Sequence, residues 1–158
     1  MSNGNKDSNL KEKLKQALLS TFKVISDDLK IEDKLEKSRS SNKFDFFELN
    51  NLDSKIDFVK ARAEADSSAL KKKFSDNNIY NKNLPNNSNC KSLYAIAEKV
   101  RYETLGGYML KGIEKNLKDN YSQTISLKKK DQLKTKEDVP VAEAFELYML
   151  KNFHNIIH

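Results

Sequence analysis

The chain of 158 residues contains one cysteine, two prolines, four glycines, two histidines and no tryptophan. The lone thiol, Cys90, excludes an internal disulfide framework and fits a reducing cytoplasm. Set in an Asn-rich loop, it reads as an incidental surface thiol rather than a nucleophile. No apolar run approaches the ~20 residues that span a bilayer. The amino terminus from Met1 to Lys6 lacks the apolar stretch of a secretory signal, so a cytoplasmic protein free of the membrane is expected. Arginine is also scarce: Arg39, Arg62 and Arg101 stand among 29 basic residues, set against 23 acidic ones for a net charge of +6. A basic balance invites nucleic acid, but sites that grip phosphate or read bases use the flat guanidinium as well as lysine. Lys71–Lys73 and Lys128–Lys130 read as solvated faces. A Lys-rich helical nucleic-acid-binding domain therefore stands as the alternative, not the leading expectation.

With 33% charged and 37% apolar residues, the chain has a lean core under a heavily solvated surface, enough for one ordinary domain. The apolar residues concentrate in 92–117. There Leu93, Ile96, Ala97, Val100, Thr104 and Leu105 recur at steps of one, three and four, which builds one face of a helix. Gly106, Gly107 and Gly112 fall in the same stretch. Glycine costs roughly 1 kcal/mol against alanine inside a helix, so the pair admits two readings. Either another element approaches closely there, or one helix ends and the next begins.

The remaining periodicities predict a mainly α fold, an irregular helical domain of about five helices. Leu10, Leu14, Ala17, Leu18, Phe22 and Ile25 mark a helix over 8–27, closed by Asp27-Asp28. Ile56, Val59, Ala63, Leu70 and Phe74 mark one over 54–75, with Ser54-x-x-Asp57 resembling a capping box. Helices over 91–105 and roughly 107–118 follow a loop at 76–90 that is rich in Asn. Pro140 suits the start of a last helix carrying Ala142, Phe145, Leu147, Tyr148, Met149 and Phe153. A minor two-strand pairing of 29–35 with 44–49 is a weaker option. The expected organisation is a disordered tail at 1–8, a helical domain at 9–118, a flexible Lys-rich linker at 119–138, and a carboxy-terminal helix at 139–158 packed on the domain.

Motifs for self-contained chemistry are missing. Gly107-x-x-x-x-Gly112 has the glycine spacing of a P-loop, but Ile113-Glu114 stand where Lys-Ser or Lys-Thr would hold the phosphates. Asp66-Ser67-Ser68 begins a D-x-S-x-S metal-adhesion pattern that fails at Leu70. His154 and His158 have the four-residue spacing of helical metal ligands, without an intervening Glu or a further His or Cys. They are weak metal candidates, and a frayed, exposed tail is the better reading. The more informative set is Arg62, Asp66, Glu98, Arg101 and Glu103. We expect the helices over 54–75 and 91–105 to pack together, with Arg62 meeting Glu98 and Arg101 meeting Asp66 across the seam. Such pairs fix register more than they add stability. Catalysis by Glu98 or Glu103 is not expected, since no accompanying groups shape a site around them.

Glu98-x-x-Arg101-x-Glu103-x-Leu105-Gly106, followed by Met109, Gly112 and Asn116-Leu117, resembles the amino-terminal region of the CobT-type subunit of the aerobic, ATP-dependent cobaltochelatase. Arg62-Ala63-Glu64-Ala65-Asp66-Ser67-Ser68-Ala69-Leu70 is similar to that family's Arg-Gly-x-Ala-Asp-x-x-Ala-Leu, with Ala63 in place of the usual Gly. Ser75 stands where relatives often carry His. Leu14-x-x-Ala17-Leu18 with Thr21-x-x-x-Ile25 resembles the family's opening helix, and Val139-Pro140-Val141-Ala142-Glu143-Ala144 its later Pro-x-Ala-Glu-Ala segment. The resemblance implies a non-catalytic assembly module with Arg62, Asp66, Glu98, Arg101, Glu103 and Gly106 as a structural or docking network. It implies an AAA+ ATPase subunit and a large ring-binding subunit as partners. ATP and Mg would sit on the ATPase subunit, and no cofactor is expected in this chain. Cobalt would be the substrate of the complex, inserted into a corrin-type ring. Family members continue through an acidic linker into a von Willebrand A-like domain, so an amino-terminal fragment or a shortened relative is expected here.

Overall fold

Ala61, Ala63, Ala65 and Ala69 lie on one helix, all of them buried. Small side chains let neighbouring helices come close, and three other helices pack around this one. The computed structural model describes residues 3–28, 55–131 and 140–154, with side chains over 9–28, 57–127 and 140–154. The helices in chain order are α1 (Asn3–Ser26), α2 (Lys55–Phe74), α3 (Asn77–Lys82), α4 (Ser88–Met109), α5 (Lys111–Asp131) and α6 (Val141–His154). The mainly α expectation holds, with six helices and no strand among the described residues. The pairing of 29–35 with 44–49 and the Ser54 cap lie outside them.

Along α1 the buried stripe is Leu18, Phe22 and Ile25, with Leu14 partly covered and Leu10 exposed. Leu18 packs on Ala61 and Ala65, while Asp27 and Asp28 just past α1 pair with Lys73 and Lys72 at the end of α2. The two helices therefore run side by side in the same direction. Asp27 closes α1 as expected, taking the left-handed backbone (φ 56°) in which a helix commonly ends. Helix α1 begins at Asn3, inside the stretch 1–8 expected as a tail, and residues 1–2 lie outside the described residues.

On the other flank, α4 and α5 form an antiparallel hairpin that turns at Leu110. That residue is extended (φ −139°, ψ 114°). Its amide donates to the Gly106 carbonyl, and its own carbonyl accepts from Ile113 and Glu114 at 3.0 and 3.2 Å, so one residue serves both helix ends. Gly107 then faces Glu114, and Glu103 faces Tyr121. The helix break thus falls beyond the glycine pair, which lies within α4.

Over 119–131 the expected linker is instead part of α5, which stays helical to Asp131, and 132–138 lie outside the described residues. Ile113, Leu117, Tyr121 and Ile125 recur every four residues and all are buried, so α5 is held by packing and not by its polar composition. Burial of a side chain such as Leu70 or Leu117 is worth about 1.5–3 kcal/mol. A second correction concerns 76–90, where α3 interrupts the expected loop. Asp76 caps α3 by accepting from the amides of Asn78 and Ile79, Asn87 caps α4 likewise, and Tyr80 stacks on Tyr94 with centroids 4.9 Å apart. Finally, α6 lies against α4, with Leu150 in the core.

Candidate functional site

The helix over 55–74 does pack on α4, and Leu70 meets Gly106 at their contact. A Cβ on Gly106 would lie 2.3 Å from Leu70 Cδ2, so any larger residue there forces this fully buried leucine to shift. Of the two readings of the glycine pair, close approach applies to Gly106. Around that contact the acidic and basic residues of the two motifs fall into three separate groups.

The deepest group surrounds Glu103, which is 1% exposed. Ser67 on α2 donates to its Oε1 at 2.5 Å, and Tyr121 on α5 donates to its Oε2 at 2.5 Å. One carboxylate thus ties three helices together. Burial pushes the Glu103 carboxyl above the ordinary range, against the pull of nearby Lys99 and of the two hydroxyls. Lys99 lies over the Tyr121 ring, 5.3 Å from its centroid. Burial, aided by the neighbouring Glu103 charge, likewise pushes the Tyr121 phenol up, and burial raises Tyr102 to about 12.

A second group sits at the end of α2. Arg101 grips Glu98 one turn earlier in α4 through Nε and Nη2, at 2.7 and 2.8 Å, and Nη2 also donates to the Phe74 carbonyl at 2.6 Å. Ser75 donates to Glu98 Oε1 at 2.6 Å. The guanidinium therefore fills an orphan acceptor at a helix carboxy terminus, where positive charge is favoured. Its hydrogen bonds hold the Glu98 carboxyl below its usual range.

In the third group, Asp66 (2% exposed) accepts from Asn116 Nδ2 of α5 at 2.7 Å. Burial raises its carboxyl, offset in part by Asn116 and by Arg62 one turn away. Arg62 itself is exposed and, among the described residues, makes no hydrogen bond.

Arg101 therefore meets Glu98 within its own helix and a backbone carbonyl across the seam, while the cross-helix partner of Asp66 is Asn116. Ser67 and Asn116 were inside the quoted motifs without an assigned role. Tyr121 was hidden by the expected linker, although its four-residue spacing from Leu117 was the available signal. His154 is 3% exposed, which corrects the expected frayed tail. It ends α6 5.9 Å from the Tyr121 ring, with Nε2 unpartnered among the described residues. Burial depresses its pKa, as do Lys118 and Lys99, while Glu114 acts the other way. His158 lies outside the described residues, among which no group of three His, Cys, Asp or Glu could hold a metal ion.

Beside the seam, α1, α2 and the start of α5 enclose an open groove of about 480 Å³. Arg62, Asp66 and Asn116 lie along it, and Leu18, Ile25, Leu110 and Ile113 supply apolar walls. This volume falls in the range of about 300–1,000 Å³ typical of binding clefts.

A family model described as cobalamin biosynthesis protein CobT matches residues 8–152. No curated protein and no solved structure matches the chain. No helix among the described residues is long and apolar enough to cross a membrane.

Proposed function

Because the chain belongs to the CobT family of cobalamin biosynthesis proteins, we propose that it is a non-catalytic helical assembly module of an ATP-dependent cobaltochelatase. On this reading it supports cobalt insertion into a corrin-type ring, hydrogenobyrinic acid a,c-diamide. Its partners are an AAA+ ATPase subunit, which carries ATP and Mg, and a large ring-binding subunit, with cobalt as substrate. The setting is the cytoplasm.

The observation that carries the reading is the use made of the motif residues. Glu103 and Asp66 are turned inward onto hydroxyl and amide donors from neighbouring helices, and Arg101 ties the end of α2 to α4. Buried polar contacts of this kind specify one arrangement of helices more than they stabilise it. An ordered platform with a groove beside it suits docking better than bond-making. The nucleic-acid alternative draws less support. Lys72 and Lys73 pair with Asp28 and Asp27, and Lys111 and Lys118 share Glu114, which spreads these charges over several faces.

Co-elution of the full chain with the ATPase subunit in the presence of ATP tests the proposal, together with a cobalt-insertion assay run with and without the chain. A stable complex and chain-dependent insertion are expected. Insertion at the same rate without the chain, or failure to form a complex, would overturn it.

A further inference from the structure

Two of the three glycines near the α4–α5 corner are explained inside the molecule. Gly106 is needed for Leu70, and Gly107 faces Glu114 at ordinary contact distance. Gly112 is different. Among the described residues, a Cβ there would meet nothing within 4 Å, so none of them requires its bare backbone. Glycine weakens a helix without such a requirement, yet this one stands in the first turn of α5 and lines the groove beside Arg62.

Arg62 is the second half of the observation. It lines the groove, is exposed, interacts electrostatically with buried Asp66 one turn away, and makes no hydrogen bond among the described residues. The fork of a guanidinium matches a carboxylate in a two-bond geometry. The walls are apolar, and Val24 and Leu110 on the rim are 71% and 45% exposed. A ligand matching all three features has a carboxylate, apolar side chains next to it, and a backbone that approaches α5 at Gly112. A helical segment of a protein supplies these together, and helices commonly bind by laying one apolar face in such a groove.

We propose that the groove between α1, α2 and the first turn of α5 docks a helix of a partner protein, pairing a Glu or Asp of that helix with Arg62 and passing its backbone over Gly112. The assignment rests on the assembly reading above for the identity of the partner, but the chemistry of the site stands on the groove alone.

Gly112→Leu is the incisive variant, because its side chain enters open space and fills the groove without disturbing the core. Its unfolding midpoint should equal or exceed that of the parent, which separates loss of binding from loss of fold. Arg62→Gln removes the charge. The probe is a synthetic amphipathic peptide of about 18 residues, long enough to hold a helix, with a leucine face flanked by glutamates. A matched peptide carries glutamine instead. Each is titrated into the full isotope-labelled chain and followed by amide shifts.

Shifts are expected around 18–25, 62–66 and 110–116. Binding should weaken about tenfold for the glutamine peptide or for Arg62→Gln, the equivalent of one charged hydrogen bond, and be lost in Gly112→Leu. Equal binding of the two peptides, shifts elsewhere, or undiminished binding by Gly112→Leu would overturn the proposal. So would binding of 3-phenylpropionate as tight as that of the peptide, which would indicate a small-molecule site. Self-association abolished by Gly112→Leu would likewise replace the partner with a second copy. Co-elution with the ATPase subunit distinguishes the two levels. If Gly112→Leu still forms that complex at parental affinity, the groove assignment fails and the assembly reading survives. If the parent chain forms no complex, the assembly reading fails while the peptide result still decides the groove.

Discussion

Gly106 and Gly112 lie on either side of one helix corner and do opposite work. At Gly106 the missing side chain is filled by Leu70, and the surrounding seam is closed by Ser67, Glu103 and Tyr121. At Gly112 the missing side chain leaves space that none of the described residues fills. The first region is where the chain recognises itself. The second is where it has surface to offer. The same residue type carries both meanings, and only the contacts around it tell them apart.

The sealed region should respond most strongly to mutation. Leu70→Ala removes a fully buried side chain over Gly106, and a loss of about 2–5 kcal/mol is expected by chemical denaturation. A loss under about 1 kcal/mol would mean that the seam collapses to refill the space, and that Gly106 is not tightly constrained. Arg101→Gln should cost less, about 1 kcal/mol. Its charged hydrogen bonds to Glu98 and Phe74 are numerous, but the side chain is 47% exposed and partly screened by solvent. Amide exchange localised to the end of α2 would identify the lost cap.

Two smaller effects depend on pH and have opposite signs. His154 has a folded pKa below the ordinary 6.5, so the unfolded chain binds the extra proton first. Its contribution is complete above pH 6.5 and is lost as the pH falls through that value towards the folded pKa. The midpoint difference between the parent and His154→Gln should therefore narrow on acidification. Glu103 has a folded pKa above 4.5, so it favours the folded state most below that pH, and its contribution declines as the pH rises through the folded value. Glu103→Gln should flatten that limb of the stability profile. An unchanged profile would mean that Glu103 is better solvated than its burial implies.

Much of the fold was legible, because apolar residues at helical spacing report burial directly. Leu14, Leu18, Phe22 and Ile25 located α1, and Val100 with its neighbours located α4. The helix over 119–131 is obscured in the sequence because Lys128–Lys130 and the polar residues around them dominate composition, while Tyr121 and Ile125 continue a four-residue stripe begun at Ile113. Asn78 and Asn81 resemble turn formers, yet Asp76 supplies the cap that makes a short helix of them.

The candidate site was legible in its members and not in its pairings. Charge alone suggested that Arg101 would seek Asp66. Glu98 lies one turn away on the same helix and the carbonyls at the end of α2 need a donor, so geometry gives Arg101 nearer partners. A buried carboxylate satisfied by hydroxyls, as Glu103 is, has no signature in charge spacing. It became visible only when α2, α4 and α5 were placed together.

The most direct test of the closed seam beside an open groove compares the unfolding free energies of Gly106→Ala and Gly112→Ala. Gly106→Ala forces a methyl group into Leu70, and a loss of about 1–3 kcal/mol is expected, reduced by the helix preference of alanine. Gly112→Ala should instead gain up to about 0.5–1 kcal/mol. Changes of the same sign at the two positions would contradict the account.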